Sequence, residues 1–151
     1  MMKTQAEIAD LSAYPDLVVV LLGMKVKTLA GLRTLFGVGR PIGAMARQAP
    51  EGLLHHETFL WRINHVGIRQ YWRDLESLER FTRSAPHKDW WRAFSADTGG
   101  TAIWHEAYQR GGGMEGIYLD LDRKTGFGTF APLRPRDRDT ASSRQRLAGR
   151  P

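Results

Sequence analysis

The stretch LVVVLLGM, residues 17–24, is the longest apolar run in the chain and restricts the fold more than any other feature. It is far shorter than the ~20 residues that span a bilayer, so protein rather than lipid must cover it. Rich in Val and Leu, the segment from Tyr14 to Val26 reads as a buried strand. A buried strand needs a sheet around it and helices to cover that sheet.

The rest of the chain supplies those parts in order. In KTLAGLRTLFGVGRPIGAMARQAPEG, Leu29, Leu32, Leu35 and Phe36 have helical spacing. Gly37, Gly39 and Pro41 then interrupt a pattern that Ile42, Met45 and Ala46 resume, which predicts two short helices or one kinked helix. Residues 53–61 and 65–73 are dense in aromatic and β-branched residues and flank the short RIN segment, as in a hairpin. Asp74 is placed to cap a helix over LESLERF, and Pro86 suits the first turn of another that runs towards Gly99 and Gly100. Thr101 to Tyr108 and MEGIYLDLD, residues 114–122, read as two more strands. Strand, helix, strand, strand, helix, strand is the order of an α+β, ferredoxin-like βαββαβ domain, here with an added strand. Large aromatics alternate with polar residues on both strand phases, so both sheet faces are expected to be buried, the second by a homodimer partner.

At 151 residues the chain accommodates one domain, taken as 1–122, and a basic extension, 123–151. Residues 1–122 hold 14 Lys/Arg and 14 Asp/Glu, so the net charge of +6 comes from the extension, with 8 basic and 2 acidic residues. Asp137 and Asp139 dilute its basic run, which reads as a solvated arm or one clamping a partner subunit, with nucleic acid the lesser reading. The absence of cysteine excludes disulfides and thiolate chemistry. The first ten residues carry acids and no apolar run, so neither a secretory signal nor membrane attachment is expected, and the cytoplasm is the default location.

The chemistry centres on histidines. In SAPHKDWWRAF, His87 stands three, four and seven residues ahead of Trp90, Trp91 and Phe94, on one face of a helix. In the first turn the helix dipole favours a neutral ring, suited to act as a base or bind haem iron, with the tryptophans as pocket walls. The competing reading is that all of them are core. In IWHEAY, His105 sides with Ile103 and Ala107 while Glu106 sides with Trp104 and Tyr108, so the two cannot form a dyad within one strand. His55 and His56 likewise diverge, and His65 beside the hairpin is expected at the surface. No histidine pair has metal-site spacing, and neither FGVGRPIG nor RGGGMEG lies in a phosphate-loop context. Gln70 and Trp72 share a strand face and can hydrogen-bond a substrate or each other, while Arg73 can pair with Asp74 or Glu106.

The motifs QYWRDLESL, HKDWWRAF and IWHEAY are similar to those of small bacterial and fungal monooxygenase-like domains, a family that includes the polyketide monooxygenase of fumagillin biosynthesis. The matching positions are Tyr71, Trp72 and Arg73, then His87 and Trp91, then Trp104, His105, Glu106 and Tyr108, and the ending TASSRQRL resembles the family as well. The resemblance implies a dimeric α/β barrel with a pocket between helices and sheet, and an oxidoreductase acting with O₂ on a hydrophobic, polyketide-like or aromatic molecule. It implies either no cofactor or haem, with His87 as the axial ligand. His87, His105 and Glu106 are then the catalytic candidates, and Gln70, Trp72, Trp90, Trp91, Trp104 and Tyr108 the substrate-binding ones. A non-catalytic binding dimer is the remaining alternative.

Overall fold

The structure is a computed structural model and describes residues 9–120, 130 and 132–148. Strand β1 (Val18–Val26) leads to helix α1 (Leu29–Arg47), the hairpin β2 (Leu53–Arg62) and β3 (His65–Trp72), and helices α2 (Leu75–Arg83) and α3 (His87–Ala96). Strands β4 (Thr101–Gln109) and β5 (Met114–Leu119) follow, then a 3-10 turn at Arg138–Thr140 and helix α4 (Ser143–Ala148). Residues 121 and 122, expected in the last strand, lie outside the described residues, as do Arg123 and Lys124 of the basic extension.

All pairing is antiparallel, in the order β2-β3-β1-β4-β5. This is the ferredoxin-like arrangement with β5 added beside β4, and it leaves β1 at the centre. The local signals explain the helices. Thr28 caps α1 by accepting from the Gly31 N–H, and Asp74 caps α2 by accepting from Ser77 N–H at 2.7 Å. One helix spans 29–47 with Pro41 inside it, rather than two. Pro41 and Gly37, the residue four positions before it, both lie on the exposed side, so the lost hydrogen bond faces water.

The sheet has two unlike faces. On the helix side, Val18, Val20, Trp72 and Ala107 pack against Leu78, with Leu53, Leu75 and Phe81 around them. Trp72 is fully buried with its ring 5.1 Å from Phe81. On the opposite side the cross-strand partners Gly23 and Gly67 leave a flat patch on which two rings lie. A Cβ on Gly23 would come within 2.1 Å of Trp104 Nε1, and one on Gly67 within 2.5 Å of Phe59. Trp104 is buried there and donates through Nε1 to His65 Nε2 at 2.8 Å. His65 is thus not a surface residue: the turn closes on it directly, opposite Arg62, and its ring is held between Trp61 and Trp104. Trp61 itself remains 47% exposed.

The end of the extension folds back on its own chain, where α4 packs beside β5. Arg144 makes a two-pronged contact with Glu79 of α2, both bonds at 2.6 Å. Arg146 donates to Glu115 of β5 at 2.5 Å and to the Thr140 and Ala141 carbonyls.

Candidate active site

The helix-side face of the sheet presents Val20, Leu22 and Met24 from β1, Ile68 and Gln70 from β3, and Ile103 and His105 from β4. Helices α1, α2 and α3 roof them with Ile42 and Met45, Phe81 and Thr82, and His87, Trp90, Trp91 and Phe94 respectively. Together they enclose a narrow apolar cavity of about 70 Å³. A wider cavity of about 470 Å³ adjoins it, bounded by Arg83, Lys88 and the tail residues Ala141 to Arg144 and Arg146. Leu22, Thr82, His87, Trp91 and His105 wall both spaces, so the two histidines stand where inner and outer cavity meet.

His87 is the first residue of α3, held there by the turn at Pro86. Its Nδ1 lies 3.3 Å from the Thr82 carbonyl. A carbonyl can only accept, so Nδ1 carries the proton and Nε2 the lone pair. The ring packs edgewise on Phe81 at 5.2 Å and tilts against Trp90 at 6.4 Å. Burial holds the imidazole below its ordinary value, helped by His105 and opposed by the Thr82 carbonyl. The result at neutral pH is an uncharged base in apolar surroundings.

His105 reaches the same cavity from the sheet. Its Nδ1 is 3.2 Å from Glu115 Oε1, an ion-pair distance without the alignment of a hydrogen bond. Glu115 is buried and also accepts from Ser143 Oγ at 2.8 Å and from Arg146. Burial alone would raise this carboxyl, but His105 and Arg146 outweigh it and hold the group at about 2. A permanent carboxylate thus orients His105 from behind the cavity wall.

Gln70 lines the inner cavity with both ends engaged: its amide NH₂ faces His56 Nδ1 at 3.1 Å, and its oxygen accepts from Trp72 Nε1 at 3.1 Å. One N–H and one lone pair of the amide remain for a ligand. Burial and the neighbouring His55 lower His56 against the opposing pull of Glu57, which favours the neutral ring that this bond requires.

Not every expected site residue meets here. His87, His105, Gln70, Trp90 and Trp91 line the cavities, whereas Trp72 is core behind Gln70. Trp104, Glu106 and Tyr108 lie on the other sheet face, because residues of one strand alternate sides. There Glu106 accepts from the Tyr108 and Tyr118 hydroxyls, and burial followed by the Glu106 bond raises the Tyr108 phenol. Glu106 is therefore not a partner of His105. Glu115, Ser143 and Arg146 are not among the expected residues, although an acid in phase with Ile117 and Leu119 is a signal for a buried carboxylate in need of cations. Arg73 pairs with Asp74 at 3.0 Å and with Glu51.

Haem, as implied by the family resemblance, can be tested against these walls. His87 has the tautomer an iron ligand needs, but the inner space beside its ring is only about 70 Å³, too small for a rigid macrocycle; only together with the adjoining 470 Å³ does it reach the ~300–1,000 Å³ of ordinary small-molecule pockets. The adjoining space is walled on one side by the ion-paired tail. The residues do not fit a macrocycle beside His87 as they stand. Among the described residues no cluster of three or more His, Asp or Glu could hold a metal ion, and no helix is long and apolar enough to cross a membrane.

A ferredoxin-like α+β domain with an apolar cavity between helices and sheet is the unit from which dimeric α/β barrels are built. The chain belongs to the Monooxygenase af470-like family, whose model matches residues 17–127. No curated protein matches the sequence. Among solved structures, a conserved protein of Bacteroides thetaiotaomicron described as a possible oxidoreductase is 13% identical, with a TM-score of 0.51, over 63% of this chain and 98% of its own. The aldoxime dehydratase OxdRE, crystallised with butyraldoxime, is 22% identical, with a TM-score of 0.50, over 78% of this chain. Only 34% of the dehydratase is covered, so this chain spans about a third of its length. At these identities the likenesses establish the fold alone.

Proposed function

We propose that the protein is a cofactor-free monooxygenase that oxidises a hydrophobic, polyketide-like or aromatic molecule with O₂. The observation that carries this reading is His87: a neutral imidazole with its lone pair on Nε2, set in the wall of a tryptophan-lined cavity. His87 takes a proton from an activated C–H or O–H group of the substrate, leaving an electron-rich anion that reduces O₂. For an activated methylene the balance is closed. The carbon loses both hydrogens and gains one oxygen as a carbonyl, while the second oxygen leaves as water with those two hydrogens.

The apolar walls suit such a step because they take up dissolved O₂ and exclude water that would compete for the reactive anion, and a spread-out charge is penalised there less than a localised one. Trp90, Trp91 and Phe94 hold the rings of the substrate, Gln70 offers its spare N–H to a substrate oxygen, and His105, oriented by Glu115, moves the second proton. The protein acts as a homodimer joined through the uncovered sheet face, where Trp61 is exposed beside Trp104. Its place is the cytoplasm.

The test is aerobic turnover of a panel of anthrones and related phenols by metal-stripped protein under ¹⁸O₂. One labelled oxygen in the product and a loss of about 10²–10⁴-fold in His87→Ala are expected for a positioned general base. Undiminished turnover in the variant, or label only in water, refutes the assignment.

A further inference from the structure

The outer cavity differs from the inner one in charge. Its wall carries Arg83, Lys88, Arg144 and Arg146, and the carboxylates that face them are Glu79 in the wall and Glu115 behind it. Four cations against two carboxylates leave an excess of two positive charges at the mouth of an otherwise apolar channel. The excess can be located. Arg144 holds both oxygens of Glu79, and Arg146 is nearly buried on Glu115, so these two are committed to the fold. Arg83 reaches Glu79 only at 3.5 Å, with a side chain 72% exposed, and it competes for a carboxylate that Arg144 already occupies. Lys88 has no ion-pair partner among the described residues, since neighbouring Asp89 pairs with Arg92.

We infer that the molecule bound here carries a carboxylate: its hydrophobic body spans the outer cavity and enters the inner one past His87, and its head group sits in the mouth against Arg83 and Lys88. This deepens the proposed function, since it rests on the two cavities being one substrate site. A single carboxylate matches the fork of one guanidinium and leaves Lys88 as the second contact. Because the charges at the mouth are partly in water, the head group sets orientation and adds a modest increment of affinity, while the apolar walls supply most of it. The orientation matters for the chemistry: a molecule pinned by its head at Lys88 has to pass its body between His87 and His105.

Binding, read without turnover, tests this separately from oxidation. Decanoate, methyl decanoate and decyl phosphate are titrated into the full-length protein by calorimetry and by quenching of tryptophan fluorescence. Decanoate is expected to bind about tenfold more tightly than its ester at low salt, and the R83Q/K88Q variant is expected to erase that difference. Leu22→Trp, which fills the junction of the cavities, should weaken both ligands alike. Equal binding of acid and ester, or an advantage that survives in R83Q/K88Q, overturns the inference, and tighter binding of the phosphate overturns the choice of carboxylate. If decanoate binds as expected while no substrate is oxidised, the monooxygenase reading fails and the head-group site stands. If neutral substrates are oxidised with no preference for acids, the reverse holds.

Discussion

Replacing Glu115 by Gln tests the link between the tail and the cavity. Glu115 is 4% exposed, and its carboxyl stands at about 2 rather than 4.5, against the upward push of burial, because His105 and Arg146 hold it ionised. A displacement of that size corresponds to roughly 3 kcal/mol of native-state preference for the carboxylate. The sign follows from a lowered folded-state value: the stabilisation is complete above about pH 4.5 and disappears as pH falls towards 2. Glutamine has the shape of the protonated acid. The variant should therefore lose about 3 kcal/mol at pH 7, or roughly 6–12 °C in Tm for a chain of this size. At pH 3 the wild type has already surrendered about half of that, so the gap should narrow to roughly half. Urea denaturation of both proteins at the two pH values measures it. A loss below about 1 kcal/mol at pH 7, or an equal loss at both pH values, refutes the claim that a buried carboxylate ties Arg146 and His105 together.

Other consequences can be checked independently. Gly23→Ala places a Cβ within 2.1 Å of Trp104 Nε1, so the indole must leave and its bond to His65 must break; a cost of about 1–3 kcal/mol is expected by calorimetry, with Trp104 fluorescence shifted. Gln70→Leu removes the acceptor for Trp72 Nε1 and the partner of His56, and should cost about 1–3 kcal/mol in urea denaturation at neutral pH. Hemin titration should give no stoichiometric Soret band; one that appears at one haem per chain and vanishes in His87→Ala would show that the inner cavity opens far beyond its 70 Å³.

Much of this architecture is legible in the chain because its signals are local. The valine-rich strand, the Asp74 cap, the Pro86 start and the hairpin each depend on neighbours within a few residues. Strand alternation alone, with no knowledge of the neighbouring strands, puts His105 and Glu106 on opposite faces of β4. What stays hidden depends on register between distant segments. His105 meets Glu115 only because β4 and β5 pair with Ala107 opposite Glu115, and Arg146 reaches the same carboxylate from 31 residues away. The burial of His65 likewise requires Trp104, 39 residues on, to cross β1 over Gly23. Pro41 leaves two readings open for a different reason, and the single helix is the one found: a proline breaks a helix less sharply where the freed carbonyl can face water.

The state of His87 is the point on which the proposed chemistry turns, and it can be observed without knowing the substrate. Nitrogen NMR of protein labelled in histidine, followed from pH 8 to pH 5, reports both tautomer and titration. A neutral ring at pH 7 with the proton on Nδ1 is expected, with a midpoint below the ordinary ~6.5 because burial disfavours the cation. A ring that is charged at pH 7, or neutral with its proton on Nε2, would rule this mechanism out, because neither form offers a base to the cavity.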